Sequence, residues 1–111
     1  MKKPLIAVPI GDPAGVGPEI VAKSAAEDKV FEAADLIVVG DKKVMEKAIG
    51  IVGVGLRINV VDSPEQGSYE KGILNMIDLD NVDMNQFTYG KVSGMCGRAA
   101  YEYIAKCITL A

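Results

Sequence analysis

Apolar residues along this chain fall into two rhythms. Residues 4–10 (PLIAVPI) form a short unbroken apolar run with the β-branched content of a strand covered on both faces, and they predict a central strand. Residues 34–40 (ADLIVVG) predict a second strand, and residues 57–61 (RINVV) a third that alternates before it becomes continuous. A fourth is expected over residues 73–79. Elsewhere the period lengthens to that of a helix. The first helix is expected to open at Pro18, with Ile20, Val21, Ser24 and Ala25 on one face and a trailing turn through Phe31. Over residues 42–52, Val44, Met45, Ala48, Ile49 and Val52 make a stripe opposite Lys43, Glu46, Lys47 and Gly50, with Asp41 as N-cap and Gly53 and Gly55 ending the helix.

A last helix is predicted over residues 93–110. Its Ala100, Ile104, Cys107, Ile108 and Ala111 lie on one side and Arg98, Glu102 and Lys106 on the other, with Glu102 and Lys106 ordered for an i,i+4 ion pair. Residues 62–72 have turn composition, and residues 80–92 read as a polar connection whose Phe87 and Tyr89 are placed to shape part of a cleft. The β-α-β-α-β order predicts a three-layer α/β/α sandwich with a mostly parallel sheet and a right-handed first crossover.

Chemistry concentrates where the first strand meets the first helix. Residues 9–20 read PIGDPAGVGPEI, a loop dense in glycine, proline and acid that ends at a helix N-terminus. Such an end presents unpaired N–H groups, and Gly11, Gly15 and Gly17 would let a phosphate or carboxylate come close to the main chain. Glu19 falls at the positive end of the helix dipole, and Asp12 is the residue that structure alone explains least. A purely conformational reading stands beside this one: Gly15 and Gly17 supply positive φ, and Glu19 complements the dipole. Two nucleotide motifs fail. Ile20 stands where the dinucleotide fingerprint needs its third small residue, and no Gly-Lys-Ser/Thr follows the glycines as a P-loop requires.

Asp41 ends the second strand, 24 positions after Gly17, where an acid holds a ribose in Rossmann enzymes; the capping role is the stronger reading. Asp78, Asp80 and Asp83 do not make a calcium loop, because no glycine occupies the sixth position from Asp78 and Tyr89 stands at the twelfth. No residue of this chain is therefore assigned to a metal, and none to catalysis. Lys91 and Ser93 are within reach of an anionic substrate in an assembled cleft, though a solvated lysine and a helix cap explain them more simply.

The segment Gly11-Asp12-Pro13-Ala14-Gly15-Val16-Gly17-Pro18-Glu19 resembles the opening signature of the 4-hydroxythreonine-4-phosphate dehydrogenase family, G-D/E-P-A-G-I/V-G-P-E after a strand. Isocitrate and isopropylmalate dehydrogenases carry a shorter version. A second landmark, a G-x-x-S turn before a helix with a G-x-A-A core, is similar to Gly90 to Ser93 followed by Gly97 to Ala100. The resemblance implies an isocitrate/isopropylmalate dehydrogenase-like α/β fold, incomplete here, with residues 1–111 as the N-terminal portion of a longer two-lobed enzyme and no internal domain boundary.

It further implies a cytoplasmic homodimer that uses NAD and a divalent metal (Zn, Mg, Mn or Co) to oxidise, and then decarboxylate, a phosphorylated hydroxy acid. The candidates are 4-phosphohydroxy-L-threonine and D-threonate or D-erythronate 4-phosphate, and the wording of both ends is nearer the second, catabolic branch. Gly11, Asp12, Gly15, Gly17 and Glu19, at the loop and helix N-terminus, are the candidate cofactor-binding residues. The family's metal is held by histidines from later in the sequence, so the fragment alone is expected to be inactive.

Composition sharpens this picture. The chain has 111 residues and no histidine, so it cannot supply that metal set, and no imidazole is available to activate Cys96 or Cys107. The two thiols would lie about 16 Å apart along one helix, too far for a mutual disulfide, and read as reduced core residues of a cytoplasmic protein. A net charge of −3 with scattered lysines excludes a nucleic-acid footprint, and no apolar run approaches a membrane span or signal peptide. Half the residues are apolar, enough for a packed core. Two other readings remain open: a stand-alone anion-binding module without catalysis, and a structural fragment whose open sheet edge pairs with a missing half. The final helix, which stops without a C-cap glycine as though cut mid-chain, favours the fragment.

Overall fold

The computed structural model describes residues 3–83 and 94–110. Four strands, β1 (Leu5–Pro9), β2 (Asp35–Gly40), β3 (Arg57–Val60) and β4 (Ile73–Asp78), form one sheet in the order β1-β2-β4-β3, and every neighbouring pair is parallel. The helices are α1 (Gly17–Ala25), α2 (Asp28–Ala33), α3 (Lys42–Val52) and α4 (Gly94–Leu110), with a single 3-10 turn at Pro64–Gln66. Ile37, Val38, Val39 and Gly40 are all buried although their side chains alternate between faces, as are Leu74, Asn75, Met76 and Ile77. Both central strands are thus covered front and back, as a three-layer α/β sandwich requires.

β1 takes an edge instead of the centre. Leu5 and Ile6 stay about half exposed, and Pro9, which has no N–H to donate, is tolerated there. The predicted trailing turn of the first helix is a separate helix: the Ala26 N–H still bonds back to Ala22, but Glu27 turns extended, with φ −77° and ψ 128°, and α2 starts afresh. Along α1 the buried residues are Pro18, Val21 and Ala22, while Ile20 is exposed. The stripe is therefore centred differently from the predicted Ile20, Val21, Ser24 and Ala25. α3 follows its prediction, capped by Asp41 and closed by Gly53 in the left-handed region at φ 78°.

On α4 the buried residues are Cys96, Ala99 and Tyr103, with Cys107 and Leu110 packed beside them; Ile104 and Ile108 point outward. The predicted Ala100-Ile104-Ile108 face is thus corrected by roughly one residue, because the helix is apolar on more than one side and periodicity alone could not choose. Among the described residues Glu102 and Lys106 form no ion pair, whereas Lys42 and Glu46 form an i,i+4 pair at 3.8 Å. Both cysteines are thiols, one buried and one half-buried, and burial pushes the Cys107 thiol up.

No helix spans the connection from β3 to β4. A buried asparagine fixes that loop instead. The Asn75 side chain accepts from the Ser68 N–H at 2.9 Å, donates to the Ser68 carbonyl at 2.8 Å, and accepts from the Asn59 amide at 2.9 Å. Tyr69 Oη donates to the Pro64 carbonyl at 2.6 Å and closes the loop on itself.

Candidate functional site

All four strands point the same way, so the connections leaving β1, β2 and β4 gather at one edge of the sheet, where open α/β folds bind ligands. Ile10 extends β1 by donating its N–H to the Val39 carbonyl at 3.1 Å, and the chain then turns at Gly11 with φ 74°. A Cβ at Gly11 would touch nothing within 4 Å, so its glycine serves the turn and leaves an open surface. Asp12 closes the loop: its Oδ1 accepts from the Ala14 N–H at 2.8 Å and its carbonyl from the Gly15 N–H at 2.9 Å. That turn buries Pro13 and Ala14 and supplies the structural reason for Asp12 that the sequence lacked.

Positive φ is found at Gly11 and at neither Gly15 nor Gly17, which corrects the conformational reading of those two. Gly17 has another duty. A Cβ there would sit 2.2 Å from the Ile10 carbonyl oxygen, so the missing side chain lets the first turn of α1 lie directly on the end of β1. Gly40 does the same from β2: a Cβ there would meet the Ile10 side chain at 2.7 Å. The sequence reading missed this second glycine because it sat inside an ordinary strand pattern. No side chain caps α1, so its first-turn N–H groups face the loop without a side-chain acceptor. Glu19 is half-buried in that turn and borders a shallow groove with Val16, Ile20, Lys23 and Ile51.

At the ends of β2 and β4 lies a closed ionic network. Asp41 is fully buried; its Oδ1 accepts from Lys43 N–H at 2.9 Å and Val44 N–H at 3.4 Å, and its Oδ2 from Val82 N–H at 3.1 Å. Asp78 Oδ1 accepts from the N–H groups of Lys42 and Asp80, at 3.0 and 2.9 Å. The Lys43 ammonium reaches Asp80 Oδ1 at 2.5 Å and approaches Asp41 Oδ2 at 3.7 Å. Its hydrogen bond to Asp80 and the nearby carboxylates hold the Lys43 ammonium above its usual range. Asp41 therefore acts as the helix cap and is closed to a ribose.

The carboxylates of Asp41, Asp78 and Asp80 lie close enough to share a cation; Asp41 and Asp78 are engaged by backbone N–H groups, and Lys43 pairs with Asp80 and Asp41. Asp83, read with Asp78 and Asp80 as a discarded calcium loop, stands outside the group. Buried Tyr103 on α4 donates its Oη to Asn81 Oδ1 at 2.7 Å and ties α4 to this edge, and burial holds its phenol far above the usual range. Phe87, Tyr89, Lys91 and Ser93, together with the Gly90 to Ser93 landmark, lie outside the described residues.

Replacing Asp41 with asparagine tests this arrangement. Asparagine still caps α3, but its amide nitrogen would meet the Val82 N–H, donor against donor. The expected cost is about 1–2 kcal/mol, read as a lower urea midpoint with an unchanged slope.

A parallel sheet whose carboxyl edge carries a glycine-rich turn opening onto a helix N-terminus defines an α/β domain with a candidate anion-binding edge. Over 106 residues, 96% of the chain, the sequence is 60% identical to a Fusobacterium nucleatum protein named "Putative D-threonate 4-phosphate dehydrogenase". It is 47% identical over 109 residues to a Clostridium botulinum protein of the same name. Among solved structures, a 4-hydroxythreonine-4-phosphate dehydrogenase from Burkholderia phymatum matches 99% of the chain with a TM-score of 0.94 at 35% identity, and one from Klebsiella pneumoniae matches 98% with 0.89 at 31%. No family model matches. Over the stretch it spans, the chain is similar to proteins of the 4-hydroxythreonine-4-phosphate dehydrogenase family. That stretch is about a third of its relatives' length: 32% and 33% of the two named proteins and 33% of each of the two structures.

Proposed function

We propose that these residues form part of an NAD-dependent, divalent-metal-assisted dehydrogenase that oxidises the secondary alcohol of a phosphorylated hydroxy acid and decarboxylates the product. The observation that carries this reading is the 60% identity over nearly the whole chain to a protein bearing a D-threonate 4-phosphate dehydrogenase name. D-threonate 4-phosphate is accordingly the first substrate to try, ahead of D-erythronate 4-phosphate and 4-phosphohydroxy-L-threonine.

In this reading the loop from Gly11 to Gly17 faces the cofactor. The open turn at Gly11 and the uncapped first turn of α1 suit an anionic group of a dinucleotide, which would accept N–H hydrogen bonds and lie at the positive end of the helix dipole. Asp12 holds the loop in shape through its two accepted N–H groups, and Gly17 fixes how deeply α1 sits. When bound, NAD supplies the hydride acceptor. This chain contains no histidine, so in this reading the histidine ligands of the metal belong to residues beyond these 111.

The test follows NADH absorbance on a polypeptide of the relatives' full length that carries this sequence, loaded with a divalent metal and offered the three compounds side by side. D-threonate 4-phosphate is expected to turn over fastest, and the 111-residue chain alone to be silent. A folded, metal-loaded protein inactive on all three would overturn the proposal. In that case, titration of the isolated chain with NAD and with inorganic phosphate would show whether the loop is an anion-binding module instead.

A further inference from the structure

α2 is weakly anchored by packing. None of its six residues is buried, its N-cap makes no side-chain hydrogen bond, and its last turn carries no basic residue. Glu27 and Ala34, on either side of it, are both extended, so the helix is set off from its neighbours by a bend at each end. Val30 and Phe31, its half-buried residues, line a cavity of about 30 Å³ together with Leu36, Tyr69 and Leu74, room for only a water molecule or two.

Charge holds α2 in place instead. The Asp35 N–H, which would have continued the helix by donating to the Phe31 carbonyl, donates to the Pro4 carbonyl at 2.8 Å. The Lys3 ammonium takes the Phe31 carbonyl, at 2.6 Å, pairs with Asp35 Oδ1 at 3.3 Å and lies 4.1 Å from the centroid of the Phe31 ring. One ammonium thus meets a helix C-terminal carbonyl, a carboxylate and an aromatic face, three partners that all favour a cation. At the other end of α2, Lys71 pairs with Asp28 at 2.9 Å, but both side chains are about 70% exposed, and a pair so open to water contributes little. Lys3, reaching back from the start of β1, is the main fastening.

We propose that α2 is a lid over the amino end of the sheet, fastened by Lys3, and that it opens as a unit while the sheet stays closed. Opening turns the chain at Glu27 and Ala34, frees the Phe31 ring and uncovers the cavity behind it. No strand pairing is broken, because α2 ends at Ala33 and β2 begins at Asp35. The lid lies at the opposite end of the sheet from the loop at Gly11 to Gly17, so this inference does not depend on the dehydrogenase reading.

Amide exchange read by mass spectrometry tests it, on a polypeptide of the relatives' full length that carries this sequence. The Phe31 and Ala34 N–H groups, which donate to the Glu27 and Val30 carbonyls, are expected to exchange about a hundredfold faster than those of β2. Raising the salt from about 0.02 M to about 0.5 M should speed them about fivefold more and leave β2 and α3 unchanged. Lys3→Met should reach the fast rate at low salt and lose most of the salt response, Lys3→Arg should keep most of the protection, and Lys71→Met should change the rate less than about twofold. Exchange in α2 as slow as in β2, or equal in the Lys3→Met and unaltered proteins, would overturn the proposal. Loosening of β2 as large as that of α2 in Lys3→Met would show that Lys3 fastens the whole edge and would overturn it as well. The salt series on the unaltered protein decides the matter if Lys3→Met fails to fold: α2 exchange that does not respond to salt ahead of β2 would refute the lid.

Discussion

Gly17→Ala is expected to destabilise the chain by roughly 2–4 kcal/mol, the effect of forcing a methyl group against main chain with nowhere to retreat. The new Cβ would lie 2.2 Å from the Ile10 carbonyl oxygen. Relief requires α1 to lift away from β1, and Ile10 is fully buried between that helix and Gly40. For a domain of this size the melting temperature should fall by about 10–25 °C. Two neighbours calibrate the result. Gly15→Ala, whose Cβ would rest 3.4 Å from the Asp12 carbonyl oxygen, should cost under about 1 kcal/mol. Gly11→Ala meets no atom but must adopt φ 74°, a penalty of about 1–2 kcal/mol. Thermal melts of the three variants would rank them Gly17, Gly11, Gly15; a Gly17→Ala protein as stable as Gly15→Ala would show that α1 can move freely on the sheet.

Asn75→Leu is the second large effect, about 3 kcal/mol, although the two side chains are close in size. Asn75 is 2% exposed, and its removal strands the Ser68 N–H, the Ser68 carbonyl and the Asn59 amide together. Denaturant unfolding would measure the loss. Amide exchange at Ser68 should quicken far more than in the sheet, since the loop from β3 to β4 has no helix to hold it. Asn59→Ala removes only one of the three bonds and should cost under about 1 kcal/mol; equal losses in the two variants would mean that the loop is anchored elsewhere.

The order and type of the elements were legible because each strand is a compact apolar run and α3 has one clean stripe with Asp41 and Gly53 at its ends. The α/β class followed from the β-α-β-α-β order and the family resemblance from residues 11–19, and the structure and the relatives bear both out. Strand order was not legible. Nothing local tells β4 to insert between β2 and β3, and β1 has the composition of a central strand while lying at an edge. The stripes of α1 and α4 were misplaced because Ile20, Ile104 and Ile108 are apolar yet exposed, so the moment of each helix points between two faces.

At the candidate site, the glycines were visible but their separate duties were not. Gly11 turns the chain, Gly17 and Gly40 make room for Ile10, and each duty depends on an atom distant in sequence or on a backbone angle. Asp12 kept its place in the motif and acquired a local reason. Asp41 resolved in favour of its cap, since three N–H groups surround its carboxylate.

The strand order also governs how this chain can assemble. With every pair parallel, no two strands can zip through a hairpin, and each pairing waits for a long connection to close. β3 leaves the ribosome before β4 yet touches no strand except β4. Until residues 73–78 arrive, β3 has no partner and β2 has one open side, so both strands keep unpaired edges in any nascent chain that has not yet reached Asp78. Of the four described strands, the one synthesised last joins β2 to β3, and Asn75, at its middle, draws in the loop that delivers it.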